Sequence, residues 1–361
     1  MAALVILLAI AGCGAYQYFK GSLVKAFTAF VIAVIASAAA FSWFEPLSQL
    51  LISRAGDGKL AQLSPWSQML FFLLIFMLVF SILQTAAAYF IRQNIELSFI
   101  VERVGRVFVG IFLGLFFSGI FMTALAMAPL PNKYPYQRFD NSTVNQAAAN
   151  AKPAEKVLLN ADGFATGFFS VLSSGSLGGS KSFAVLHPDY LDQLHLNRYV
   201  HNIPLFTSEE AIEVPKNAVS QASSDLKDSE GKPIAAKAGH NLTVVQVGIK
   251  KKLVEEAGTF TLSQFRLICK NRTDKSKLAG SAVNAYPVGY HDENNLISDA
   301  GAGEVLTIDK ADFTDNVKIL KLVFSIPNGM TPVLAQFKSN NVVEVPAVKQ
   351  DTPQPQTPEQ L

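Results

Sequence analysis

The sequence predicts an α+β multidomain protein, a four-helix transmembrane bundle followed by a C-terminal antiparallel β-sandwich, with an immunoglobulin-like arrangement as one topology for the latter. Three observations carry this. Of the 30 Lys/Arg and 28 Asp/Glu in 361 residues, only 7 and 4 fall in residues 1–131. That first third contains four long charge-free runs. From His240 the pattern changes to short alternating segments rich in β-branched residues, separated by turn signals. The uneven charge excludes one uniform globular domain, and 50% hydrophobic residues exclude a disordered chain.

The charge-free runs cover residues 1–19, 26–44, 60–91 and 107–132. A helix rising about 1.5 Å per residue needs roughly 20 apolar residues to cross the hydrocarbon core. Trimmed on that criterion, the spans are 2–19, 24–44, 68–90 and 107–128. A buried soluble helix would be shorter and carry a polar stripe, whereas residues 69–80 are apolar on every face. Trp43, Trp66 and Tyr89 fall near span ends, where aromatic rings favour the headgroup level. Ile10-Ala11-Gly12-Cys13 resembles a lipoprotein cleavage box, but no basic residue precedes it, so helix packing is the preferred reading of its small residues.

Lys20, Lys25, Arg92, Arg103 and Arg106 flank the first and third connections, against Arg54, Lys59, Lys133 and Arg138 on the other side. The positive-inside rule then places the two basic connections in the cytoplasm and residues 132–361 outside. Gly110 and Gly114 share one face of the fourth span and open it to close approach by another helix; Gly119 lies slightly off that face. No Asp, Glu, Lys, Arg or His interrupts the middle of a span, which argues against a proton-coupled transporter.

This layout has recognisable parts: a short first helix into Lys20-Gly21 and Lys25, then an interfacial Glu45-Pro46-Leu47, a long third helix, and a basic loop ending at Arg106 before the Gly110–Gly114 helix, which closes at Pro129. Residues 1–131 thereby resemble the bacterial colicin V production protein (CvpA) family, with Lys20, Gly21 and Arg106 as the family-motif residues. Two spacings depart from that pattern: Lys25 stands five rather than four after Lys20, and Arg106 stands four rather than three before Gly110. The resemblance implies a multi-pass protein of the bacterial inner membrane, linked to toxin production or export and to envelope function, with no catalytic residue to carry over.

Beyond the four-span domain at 1–131, residues 132–239 read as a linker and an irregular juxtamembrane region. Within it, 161–205 mixes Phe, Gly and Ser and is expected near the membrane face, while 206–239 reads as a charged spacer. Strands are expected at 242–249, 259–268, 282–290, 304–308, 317–326, 332–337 and 342–345, giving a β-domain at 240–346. The Pro/Gln/Thr-rich tail at 347–361 is expected to be disordered.

Residues that could carry chemistry fall short of the patterns that chemistry needs. Residues 175–182 nearly spell a phosphate-binding loop, but Ser180 stands where Gly should precede Lys181. His187, His195 and His201 lack the four-residue spacing of a helical zinc pair and read as surface or half-buried histidines. Asp309, Asp312 and Asp315 lack the Gly and terminal Glu of a calcium loop, and Lys250-Lys251-Lys252 reads as a solvated turn. Ser174-Gly175-Ser176-Leu177-Gly178 misses the nucleophile-elbow pattern at its first position. Cys13 and Cys269 provide neither a disulfide framework nor zinc-ligand spacing.

No catalytic, cofactor or metal site is therefore expected, and the chain reads as non-enzymatic. A net charge of +2 gives no reason for a nucleic-acid partner. The expected partners are the lipid bilayer, a second copy of the chain, and other envelope proteins. A subunit of a transporter or channel is the alternative; it would need Ser81, Gln84, Thr85 and Thr123 to line one cavity. A membrane-tethered hydrolase is the second alternative and would need a nucleophile–base pair.

Overall fold

The computed structural model describes residues 1–55, 59–90, 98–139, 153–175, 181–221, 226–227, 231, 233–234, 236–274, 276–291, 297–298 and 303–346. Four helices long and apolar enough to cross a membrane form the N-terminal module: α1 (Ala2–Lys20), α2 (Leu23–Ala55), α3 (Ser67–Phe90) and α4 (Phe99–Met127). A 3₁₀ segment, Lys59–Trp66, leads into α3.

Two boundaries differ from expectation. Helix α2 does not stop at 44 but continues through Pro46 to Ala55. Proline removes one donor and leaves the Ser42 carbonyl without its partner four residues on. The extension survives because it has tertiary partners: Ser48 and Ile52 are buried, and Gln49 accepts a hydrogen bond from Asn340. Helix α4 starts at Phe99, so Arg103 and Arg106 belong to its first turns and not to a loop. Its 29 residues span about 43 Å, longer than the hydrocarbon core.

The helices pack as two close pairs, α1 with α4 and α2 with α3, joined where α2 meets α4. On α2 the small residues Ala29, Ala33, Ala36 and Ala40 recur at helical spacing and are buried. They let bulky rings fill the remaining space, and Phe44, Phe72, Phe76 and Phe116 form the core with Leu113 and Ile120.

Residues 158–197, expected to be irregular, fold into helices α5 (Ala161–Ser174), α6 (Phe183–Leu186) and α7 (Tyr190–Asn197). Helix α5 is about 21 Å long, too short to span. It lies against α4 instead, with Ala165 and Phe169 joining the bundle core and Phe169 stacked on Phe41 at 4.7 Å. The order comes from burial of these apolar faces, which a window judged on its own composition does not reveal.

The β-rich region is wholly antiparallel. One sheet runs β1 (Ile212–Glu213), β3 (His240–Lys250), β10 (Val317–Pro327), β7 (Pro287–His291), β8 (Ile297–Ser298), with β2 (Val219–Gln221) also on β3. A second runs β12 (Asn341–Glu344), β11 (Met330–Phe337), β5 (Phe265–Asn271), β6 (Val283–Ala285), and β4 (Thr259–Thr261) pairs with β9 (Val305–Thr307). The spacer expected at 206–239 therefore contributes two strands, β1 and β2.

Alternation sets which side chains go inward. Val245, Val247 and Ile249 of β3, Leu322, Phe324 and Ile326 of β10, Phe265 and Leu267 of β5, and Phe337 of β11 share one core. Two expected single strands are each split. Residues 259–268 break at Leu262–Gln264, where Thr261 and Gln264 cap a 3₁₀ turn. Residues 282–290 break at Tyr286, so β6 joins one sheet and β7 the other. The opposite face of β5 is also covered, with Ile268 and Leu334 packing on Val185 of α6. That second covered face brings the β-rich region against the helical module.

Candidate functional site: polar contacts at the two ends of the bundle

The residues singled out from sequence gather on the α1–α4 seam. A Cβ built on Gly110 would lie 3.1 Å from the Cys13 carbonyl oxygen and the Gly14 Cα. One on Gly114 would lie 2.6 Å from the Ile10 Cα and 2.8 Å from the Ala9 carbonyl oxygen. At these two positions the helices touch backbone to backbone. Gly119 serves a different neighbour: its missing side chain admits the Ala161 carbonyl of α5. Leu113, between the two seam glycines, points into the bundle core.

At one end of the seam, α4 holds the turn between α1 and α2. Arg106 Nη1 donates to the Gly21 carbonyl at 2.9 Å, and Glu102 Oε1 accepts from the Leu23 amide at 2.8 Å. Leu23 opens α2, so its amide has no partner within the helix, and a carboxylate there also meets the positive end of the helix dipole. The Arg106 guanidinium lies 5.6 Å from the Tyr18 ring centre. Gly21 is extended, at φ −88°, and any side chain on it would collide with the Gln17 amide. Gly21 and Arg106 are thus brought together; Lys20 is exposed and lines a neighbouring groove.

The other end carries a buried polar junction between the helical module and the β-rich region. His187 Nε2 lies 3.1 Å from Glu45 Oε1 of α2, and its Nδ1 lies 2.9 Å from Gln193 Oε1 of α7. Gln193 Nε2 donates to Gln336 Oε1 of β11 at 3.3 Å, and Arg266 of β5 donates to the same oxygen. Arg266 also donates to the Leu186 carbonyl at 2.6 Å and to Asn284 Oδ1 at 2.5 Å. Asn284 in turn donates to the Pro188 carbonyl. Arg266 sits directly opposite Gln336 in the β5–β11 ladder, which aims both at the α6–α7 segment.

Both nitrogens of His187 meet acceptor oxygens. One is the carboxylate of Glu45 and the other the side-chain amide of Gln193, so the ring bridges α2 and α7. Burial pushes the Arg266 guanidinium down to about 10, so it remains charged at neutral pH, and its three acceptors spread that charge.

A second polar group steadies the same region. Arg198 is 3% exposed and donates to the carbonyls of Ala128 and Tyr134, lying over the C-terminal end of α4, where a cation complements the helix dipole. Burial pushes its guanidinium down to about 10 and, with Arg198 and Arg138 nearby, holds His195 well below the usual imidazole range. Tyr136 donates to Asp162 Oδ2 at 2.6 Å, and Arg138 pairs with Asp192 at 2.6 Å. Helix α7 carries members of both groups, Gln193 of the first and Asp192 and His195 of the second.

A cleft of about 430 Å³ opens beside the junction, lined by Ser42, Glu45, Gln49, Gln68, His187 and Asn340. Among the described residues, the two nitrogens of His187 go to Gln193 and Glu45, and the imidazole ties α2 to α7.

Other sequence features take structural places. Of the three histidines expected to be surface or half-buried, His187 and His195 are instead fully buried, at 4% and 2% exposure, and His201 is exposed. Asp309 and Asp312 cap a 3₁₀ turn. Lys250 pairs with Glu210 at 2.9 Å and Lys252 with Glu209, so the lysine turn is tied to the chain before β1. Residues 176–180, the centre of the phosphate-loop-like stretch and part of the Ser174–Gly178 stretch, lie outside the described residues. Among the described residues, no three His, Cys, Asp or Glu side chains form a metal-binding group. Gln84 lines a groove, Ser81 and Thr85 are exposed on α3, and Thr123 is buried with its hydroxyl on the Gly119 carbonyl, so the four do not converge on one cavity.

Sequence reasoning missed Glu45, His187, Gln193, Arg198 and Arg266. The available signal was Arg266, a charge between the apolar Phe265 and Leu267 of an expected strand. Comparison with protein-family models, characterised proteins and solved structures gives no match to this chain.

Proposed function

We propose that the chain is a non-enzymatic, multi-pass protein of the bacterial inner membrane that holds its β-rich region at a fixed attitude outside the cytoplasm. It would act by assembly with a second copy or with envelope partners, in toxin export or envelope maintenance. The observation that carries this is the Glu45–His187–Gln193–Gln336–Arg266 chain, which runs unbroken from a membrane helix into two β-strands. A flexible tether would not need buried charge at its anchor; a platform does, because hydrogen-bond geometry specifies one docking pose. The likeness to the colicin V production family in residues 1–131 supports the export and envelope part and rests on Lys20, Gly21, Arg106 and the glycine helix. The finer architecture belongs to the same proposal: the two larger sheets stacked as a β-sandwich of immunoglobulin-like type. The shared core of β3, β10, β5 and β11 supports the stacking.

The test is genetic. Deletion in the host should weaken the envelope or reduce toxin secretion, wild type should restore it, and Arg266→Ala, with the junction broken, should restore it poorly. Full restoration by Arg266→Ala would remove the platform reading. Orientation is tested separately: cysteines at the exposed positions Ser53 and Asp315 should react with an impermeant reagent in spheroplasts, and one at Ser98 should not.

A further inference from the structure

A groove of about 520 Å³ runs between α1 and α3, floored by α2 and α4. Its volume is within the range of sites that hold one small ligand. All four walls are membrane-crossing helices, so in a bilayer the groove opens onto lipid. Its chemistry is graded along its length. Gly12, Phe80, Leu113 and Phe117 line the part farther along α1, Gln17, Thr28 and Gln84 add polar groups between, and Lys20 and Lys25 line the part at the bundle end. Gly12 and Lys20 are about 12 Å apart along α1 by helical rise. Both lysines are exposed, and among the described residues neither ammonium has an ion-pair partner.

We propose that this groove binds one anionic phospholipid, its phosphate between Lys20 and Lys25 and one acyl chain along Gly12, Leu113 and Phe117. Two unpaired cations at headgroup level complement a phosphate, and the mainly apolar wall that continues along α1 complements a chain. Arg103, exposed at the same end but outside the groove, is stacked 4.2 Å over Phe99 and serves as the reference for general surface attraction. The assignment is independent of the platform reading, since it needs neither the β-rich region nor a partner protein.

Native mass spectrometry of the full-length protein released from detergent tests it, with phosphatidylglycerol and phosphatidylcholine as probes. Phosphatidylglycerol should be retained in preference, one molecule per chain. Lys20→Gln and Lys25→Gln should each weaken its retention about fivefold, and Arg103→Gln should have little effect. A Cβ at Gly12 meets nothing within 4 Å, so Gly12→Phe should fill the groove and abolish retention without lowering the melting temperature. Inorganic phosphate should not displace the lipid, because it lacks the chain. Equal retention of both lipids, or a loss with Arg103→Gln as large as with the lysine variants, would overturn the site. So would a dimer that Gly12→Phe dissociates while lipid retention stays unchanged, since the groove would then belong to a second copy.

Discussion

The α1–α4 seam and the junction of α2 with the β-rich region both hold a membrane helix in place, by opposite chemistry. At the seam, side chains are absent: Gly110 and Gly114 let α4 touch the backbone of α1. At the junction, side chains are long, polar and buried, and Arg266 alone serves three acceptors. The difference follows from the surroundings. Within lipid, apolar side chains gain nothing by leaving the tails for each other, so closeness of approach is what remains to be optimised. Where water is excluded, polar groups need partners, and Arg266, Gln193 and Gln336 find theirs on several elements at once, which favours one docking pose. The seam should therefore fail through added volume and the junction through lost bonds.

The largest effect is expected at the junction. Arg266→Ala leaves the Leu186 carbonyl and the Asn284 and Gln336 amides without their charged donor, and should cost about 4 kcal/mol of unfolding free energy. Denaturant titration of the purified protein would measure it, beside Arg272→Ala on the exposed turn, expected within about 0.5 kcal/mol of wild type. Equal losses would mean that the junction is not special.

At the seam, Gly114→Leu must push α1 away, because the first atoms it meets are backbone. Overpacking of this kind costs about 1–3 kcal/mol. The counterpart, Gly12→Ala on the same helix pair, enters open space and should be silent. Indistinguishable melting of the two variants would reduce the seam to composition.

Lys338 extends the comparison into the β-rich core, where a charge is buried without a junction to serve. Its side chain is fully buried, Nζ donates to the Glu256 carbonyl at 2.6 Å, and burial pushes the amine down from 10.5 to about 7. Between about 7 and 10.5 the folded state then holds fewer protons than the unfolded chain, so this group makes stability rise with pH across that window and contributes no slope below it. The slope is at most about 1.4 kcal/mol per pH unit. Lys338→Met should flatten the stability–pH profile between pH 7 and 10, and an unchanged profile would show that the amine stays charged.

The smallest effect is expected for Glu45→Gln. The side chain is a third exposed, and glutamine keeps one oxygen for His187, so the loss should be about 1 kcal/mol. A loss as large as that of Arg266→Ala would shift the weight of the junction from the β-strands to the membrane helix.

Local properties made the four spans and several strands legible in the sequence. A charge-free run of sufficient length makes a helix long and apolar enough to span whatever surrounds it, and the alternation of β3, β10 and β11 follows from the pleat. Helical spacing alone put Gly110 and Gly114 on one face. Tertiary structure decided which helix they meet, and it carried α2 through Pro46 because Gln49 and Ile52 found partners beyond it. It also ordered α5 against Gly119, a contact that needs two segments about forty residues apart. The strand breaks at Leu262–Gln264 and at Tyr286 arise because the chain changes sheets there, and hydropathy does not encode which sheet a strand joins. The junction was invisible for the same reason. Its members come from residues 45, 187, 193, 266, 284 and 336, and each polar group alone reads as solvent-facing. Only packing removes the water, and only then does a buried charge need the partners that define the site.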